Sequence, residues 1–387
     1  MPAPDFTRHN EEVAQVWSAY RAGRPLRVPF ANFTIGPRIW VLDPRLNDLG
    51  VTWEQMSNDP ETMFQVYLRY KHYLVHNIPH DIEMGVPSEG KTWEIGTEFV
   101  NVFEEGWLGC PIIYPENQVT ASLPAYRGDK KRDILERGIP DPFGGFNARV
   151  REYYEYFLDR AASYEFHGRG ISVYPPCPLA TGGPFTVAVG VRGHELLEDM
   201  LVDEDYYHQL MSFIVDATVA RIRAWRAYLG MELRPRDGGF GDDAIQFLSV
   251  RQYREKVLPY HLRLKDALYQ PGGAFAMHLC GNVQRLLPTL VTELGATCFD
   301  TGYPIKWETL REDVGEEVEI MGGVPVTDLM AAAPEAIYEK ARAILQSGIM
   351  RAGRYIMKEG NNVPPAMPLA NLAAMYAAAK RFGVYQY

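Results

Sequence analysis

The feature that most constrains this chain is an alternation. Short apolar, β-branched runs recur along it, and each gives way to a stretch with helical spacing. "RVPFANFTI" (27–35) reads as a strand. "DPETMFQVYLRYKHYLVHN" (59–77) opens on Asp59 as a cap with Pro60 in the first turn, then runs as a helix. "IPHDIEM" (78–84) is a second short strand. "KTWEIGTEFVNVFEEGWLGCPII" (91–113) alternates and turns on glycines, which predicts an N-terminal β-hairpin excursion. Further strands are expected over 170–175, 235–245, 274–280, 296–302, 317–324 and 354–360. Helices are expected over 146–164, 193–202, 204–229, 250–269, 282–295, 306–314, 334–348 and 369–382. Pro259 should kink or break the fourth of these, and Gly295 should stop the fifth. Residues 1–26 read as an N-terminal helical extension.

Strands that alternate with helices make a parallel sheet. About eight such units predict an α/β fold of the closed (β/α)8 TIM barrel kind, with 1–387 as a single domain. A doubly wound open sheet is the alternative, weakened because no Gly-x-Gly-x-x-Gly turn follows the first strand. In a barrel the chemistry sits at the C-terminal ends of the strands. The polar residues there are Asp81, Tyr174, Asp242, Asp243, His278, Cys280, Asp300 and Glu359.

Composition narrows the partners. A net charge of -10 argues against nucleic acid and anionic membranes. The 4 cysteines lack the short, regular spacing of a disulfide framework and fit a reducing cytoplasm. The opening "MPAPDFTRHNEEVAQVW" is acidic and has no apolar core, so it does not read as a signal peptide. No stretch is long and apolar enough to span a bilayer.

Two short patterns carry chemistry. In "AMHLCGN" (276–282), His278 and Cys280 are two apart on a strand and therefore share a face. Imidazole and thiolate suit zinc, but two ligands do not complete a site. A buried thiol beside a hydrogen-bonded histidine is the plainer alternative. "GGFGDDAI" (238–245) places two carboxylates at a strand end. If close, they would push one pKa up and supply an acid. Otherwise one caps a helix and the other faces solvent. There is no Walker loop and no Gly-x-Ser-x-Gly elbow, and "HELLEDM" at 194 lacks the second histidine of a zinc-protease helix.

Taken in order, several segments resemble the uroporphyrinogen decarboxylase superfamily. They are "GGPFTVAVGVRGHELLEDMLVDEDYYHQLM", "GDDAIQFLSVRQYREKVLPYHLRL", "HLCGNVQRLLPTLVTELGATCFD", "VGEEVEIMGGVPVTDLM" and "GNNVPPAMPLANLAAMYAAAKRFG". The resemblance covers 170–387 well and 1–165 loosely. It implies a (β/α)8 barrel with its site at the strand C-termini. The decarboxylase branch carries a Gln-Ala-Gly-Arg-Tyr segment and a Phe-Ser-Asp segment, where this chain has "FANFTIGPRIW" and "IPHDIEM". Arg38 and Asp81 survive near the expected places, without the arginine-rich handle for a polycarboxylate tetrapyrrole.

The methyltransferase branch binds zinc through His-x-Cys and a distant cysteine. His278 and Cys280 match the first two, but the third position reads Asn361. Glu359 could complete the set as an oxygen ligand, Cys177 could swing in, or no metal binds. The resemblance implies a corrinoid-linked methyltransferase. It would move a methyl group between a cobamide on a partner protein and a methoxylated aromatic, a methylamine-derived compound or a thiol. Asp242, Asp243, Asp81 and Tyr174 are its candidate catalytic groups, and Arg38, Asn361 and Asp300 its candidate substrate contacts. Two alternatives stand: a metal-independent lyase using Asp81 or the Asp242/Asp243 pair as acid, and a non-catalytic small-molecule-binding barrel. A homodimer is expected from the resemblance alone.

Overall fold

In the computed structural model, residues 6–31 and 35–386 are described. The expected strand over 27–35 therefore has residues 32–34 outside the described ones. The fold is α/β. Among the described residues nine strands run in chain order: β1 Trp93–Ile95, β2 Ile112–Ile113, β3 Ala121–Ser122, β4 Ile171–Val173, β5 Gly238–Gly241, β6 Phe275–Leu279, β7 Cys298–Thr301, β8 Glu319–Gly322 and β9 Tyr355–Met357.

β5 to β9 form one parallel sheet in sequence order, with helical segments as the crossovers. Its register pairs Gly241 with His278, His278 with Asp300, Asp300 with Met321 and Met321 with Ile356. These five residues form one row across the sheet on a shared face. Past β9 the N-terminal segment continues the arrangement, because Phe30 bridges Met357 in parallel and the Asp81 N–H donates to the Phe30 carbonyl at 2.7 Å. β1 and β4 pair in parallel as a separate ladder. Among the described residues no continuous ladder joins that pair to the five-stranded sheet.

The hairpin expected over 91–113 does not form. β1 pairs instead with β4, Trp93 opposite Ile171, and residues Phe103–Trp107 are helical. The glycines at 96, 106 and 109 suggested turns, but Gly96 serves close packing: a Cβ there would lie 2.0 Å from the Tyr174 ring. The segment 78–84 is not a strand either. It bends, and its backbone is spent on Phe30 and on the first helix, Thr7–Arg21, whose Trp17 indole donates to the Asp81 carbonyl at 2.7 Å.

Local signals worked where they were capped. The helix Pro60–Asn77 begins with the Asp59 carboxylate accepting from the Thr62 N–H at 2.7 Å, and Pro60 occupies the first turn. Pro259 does not end its helix. A widened turn over Tyr253–Val257 re-registers the chain, so Pro259 sits in the first turn of Leu258–Leu268 and has no carbonyl to clash with. The helical run that closes on Leu290–Leu294 stops at Gly295, in the left-handed conformation at φ 75°. No helix of the described residues is long and apolar enough to cross a membrane.

Candidate metal centre

β6 ends by delivering His278 and Cys280 to one face, and Gly281 then turns the chain at φ 72°. That left-handed backbone favours glycine at 281, and a Cβ there would also push aside the end of the Gln246 side chain, 1.9 Å away. Cys280 Sγ lies 3.3 Å from His278 Nε2. The other ring nitrogen, Nδ1, lies 2.8 Å from Asp300 Oδ2, on the neighbouring strand β7. The second oxygen of Asp300 accepts from Lys358 Nζ at 2.7 Å, and Lys358 is fully buried at the end of β9. The ends of β9, β7 and β6 thus line up an ammonium, a carboxylate and an imidazole, the first reaching across β8.

Asp243 approaches from the other side. It follows β5, and its Oδ1 accepts the Cys280 N–H at 2.7 Å. Donor atoms of Asp243, His278 and Cys280 all lie within 4.8 Å of one another. Asn361 Oδ1 stands 3.6 Å from Cys280 Sγ and also accepts the Asn362 N–H at 2.8 Å.

The electrostatics follow from these contacts. Burial alone lowers the His278 pKa, but Asp300 and Cys280 outweigh it and carry it up to about 10. Burial raises Asp300, and His278 and Lys358 outweigh that, leaving its carboxyl below the ordinary aspartate value. An imidazolium is therefore the resting partner of Cys280 when no metal competes. A hydrogen bond from Nδ1 to Asp300 also leaves Nε2 as the nitrogen able to bind a metal.

The donor set fits zinc. Tetrahedral zinc takes nitrogen, sulfur and oxygen at about 2.0–2.3 Å, which sets donors a little over 3 Å apart. The 3.3 Å between Nε2 and Sγ already has that spacing. Glu359 is not in the donor cluster. Its side chain is fully buried, 3.8 Å from Lys358 Nζ. Cys177 is not in it either. Burial, and after it the charge of Glu98, holds that thiol well above its ordinary pKa. The third potential donor of the cluster is Asp243, expected from its sequence as a catalytic acid.

The two aspartates are not a pair. Asp242 is fully buried and turned away, accepting from the N–H groups of Phe185 and Thr186 at 3.0 and 2.9 Å and from the Thr186 hydroxyl at 2.7 Å. It thereby caps the helix Pro184–Arg192, while His261 Nε2 lies 2.9 Å from Oδ2, the oxygen that also accepts the Phe185 N–H. Gly183, at φ 90°, permits this approach, since a Cβ there would meet the Gly241 carbonyl at 2.1 Å. Asp242→Ala is expected to cost about 2–3 kcal/mol in urea unfolding by stranding buried donors. Asp243→Ala, which removes one half-buried hydrogen bond, should cost no more than about 1 kcal/mol. Equal losses would contradict this division.

Asp81 is likewise occupied. Both oxygens accept from Arg27 at 2.7 Å, one also from the Tyr376 hydroxyl at 2.7 Å and the other from the Phe30 N–H at 2.7 Å. Tyr174 follows β4, donates its N–H to the Ile95 carbonyl at 2.9 Å, and is 40% exposed. Arg38 opens the short helix Arg38–Val41, and its charge acts on Glu98, which accepts from the Tyr67 hydroxyl at 2.9 Å. None of Asp81, Tyr174 and Arg38 touches the donor cluster through a hydrogen bond described above. Lys358 was overlooked in the sequence. Its one signal is a charged Lys-Glu pair ending the wholly buried strand "YIM".

A family model described as Uroporphyrinogen decarboxylase (URO-D) matches residues 176–382. The chain is 23% identical over 201 residues to "Methylcobamide:CoM methyltransferase MtbA" of Methanosarcina mazei, covering 52% of this chain and 56% of that protein. It is 26% identical over 209 residues to a "Uroporphyrinogen decarboxylase" of Mycobacterium sp. (strain KMS), covering 48% and 54%. It thus spans about half the length of the curated relatives it matches. Among solved structures it resembles a "methyltransferase from Methanosarcina mazei" with a TM-score of 0.64 at 17% identity, over 96% of this chain and 98% of that one. That likeness is one of fold.

Proposed function

The chain belongs to the uroporphyrinogen decarboxylase family, and from that premise we propose that it is a zinc-dependent methyltransferase acting with a cobamide on a corrinoid protein. Its strands are read as a (β/α)8 barrel, with the donor cluster at their C-terminal mouth. The carrying observation is the convergence of Asp243, His278 and Cys280 within 4.8 Å, backed by Asp300 and Lys358. Asp243, His278 and Cys280 would hold the zinc. Asn361 takes the place of the distant cysteine expected from the methyltransferase branch.

Bound zinc supplies a Lewis acid that keeps a thiol as thiolate near neutral pH or polarises an ether oxygen. The protein's own part is positional. Asp300 holds the proton on His278 Nδ1 and fixes the plane of the ring. Lys358 holds Asp300, so the carboxylate cannot turn away. Asp243 accepts the Cys280 N–H and so sets where the thiol stands. Arg38 is proposed as a substrate contact and Tyr174 as a catalytic group.

The metal-independent lyase is disfavoured by where its acids lie. The oxygens of Asp81 and Asp242 are taken up by buried donors of the protein itself, which leaves neither carboxylate free to face a substrate. The test of the methyltransferase reading is a methylcobalamin titration with added thiols, watching the cobalt spectrum. Thiol-dependent demethylation that stops on zinc removal is expected. Turnover indifferent to chelation would overturn the zinc. Asp300→Asn should weaken zinc binding about 10- to 100-fold, measured by competition with a chelating dye, because the histidine loses its orienting carboxylate.

A further inference from the structure

A cavity of about 950 Å3 has none of Asp243, His278 and Cys280 in its lining. It is bounded by the first helix through Trp17 and Tyr20, by Lys71 and Leu74 of the helix Pro60–Asn77, by Trp93, and by Glu319 and Ile356 of the sheet. Register explains the space. Gly239, Ala276, Cys298 and Glu319 form the row two residues before the His278 row, on the same face. The rows are therefore about 7 Å apart along the strands. Two of those four side chains are a hydrogen atom and a methyl group, so this layer does not fill itself. Glu319 reaches out to the Tyr20 hydroxyl at 2.8 Å, which places the first helix at the N-terminal edge of the sheet.

The charges around the cavity are unequally satisfied. Glu83 is paired with Lys91, and Asp81 with Arg27. Glu319 is engaged by Tyr20 and by the Cys298 thiol at 3.5 Å. Glu94 and Arg21 lie at the exposed rim. Lys71 is different. It is half-buried, and among the described residues it makes neither a hydrogen bond nor an ion pair; its ammonium stands 5.9 Å from the centre of the Tyr174 ring. Burial pulls its pKa below the ordinary lysine value against the pull of Glu94. An ammonium left without a partner beside apolar walls is a costly arrangement unless an anion completes it.

We propose that this cavity is a second small-molecule site, which takes an aromatic or branched organic anion with its acid group on Lys71 and its apolar body against Trp17, Leu74, Trp93 and Ile356. The volume is that of a site for a ligand of drug-like size. The proposal does not depend on the metal centre or on methyl transfer.

The test uses the whole protein and anilinonaphthalene sulfonate, an anionic aromatic fluorophore, beside phenylnaphthylamine, its uncharged counterpart. Wild type should bind the sulfonate saturably, at about one site per chain, and more tightly than the neutral probe by about tenfold or more. Lys71→Met keeps the apolar stem and should remove that preference, and Lys71→Arg should restore it. Binding should survive chelation and His278→Ala. Circular dichroism melts of each variant separate loss of the site from loss of the fold. Equal affinity of wild type and Lys71→Met overturns the proposal. So does the absence of saturable binding, or binding lost together with the donor cluster.

Discussion

Cys280→Ala is expected to purify with less than about a tenth of the zinc of wild type, which should carry about one ion per chain. The expectation rests on how few donors there are. Only Asp243, His278 and Cys280 converge among the described histidines, cysteines and acids. Removing the sulfur leaves a nitrogen and an oxygen, with Asn361 as a weak neutral neighbour. Two such donors do not hold zinc against buffer. His278→Ala should behave alike and also strand Asp300 with Lys358 alone. Methyl transfer in both variants should fall by at least about a hundredfold, as expected when a group acting at the reacting atom is lost. Metal analysis of freshly purified protein is the measurement. A variant that keeps stoichiometric zinc would place the metal elsewhere, and a wild type that never takes up zinc would end the metal reading.

Asp81→Ala should lower the unfolding free energy by about 3–5 kcal/mol, the range for removing one partner of a buried ion pair. The Asp81 side chain is 0% exposed and that of Arg27 is 7% exposed, so water cannot take over the lost contacts. Four donors lose their acceptor together: the Nη1 and Nη2 N–H groups of Arg27, the Tyr376 hydroxyl and the Phe30 N–H. Glu12 still pairs with Arg27 at 2.8 Å, which keeps the loss at the lower end of the range. Urea midpoints at constant slope read this directly. Zinc content under native conditions should be unchanged. Were Asp81 a proton donor in the reaction, the variant would instead lose activity with its stability intact.

How legible this was in the sequence depended on range. Capped helices announce themselves locally, and Asp59-Pro60 marked one start and Gly295 one stop. The His-x-Cys pair needed only the two-residue period of a strand to share a face. Asp243 needed more. Its place beside Cys280 comes from the β5–β6 register, which no spacing within either segment discloses. Asp242 and Asp243 looked like a couple because they are adjacent, yet adjacent residues leaving a strand point to opposite sides. One went into the packed interior and the other to the mouth. β1 misled for a similar reason. Its alternation gave the right element, but its partner is β4, far along the chain and parallel, whereas a hairpin was expected. Lys358 was invisible because a buried ammonium is read from its partner, and Asp300 lies two strands away.

The Asp81 carboxylate has a consequence for the order of assembly. One of its donors, Tyr376, is 295 positions further on, in the final helix Leu369–Phe382. Arg27 also bridges Val384, near the other end of the chain. During synthesis the N-terminal segment and the Arg27–Asp81 ion pair must therefore wait, unsealed, until Tyr376 has left the ribosome. Contacts of such sequence separation slow folding and prolong exposure of apolar surface. A nascent chain arrested before residue 369 should lack its last lock and be cut by protease at the N-terminal segment, whereas the released chain should resist.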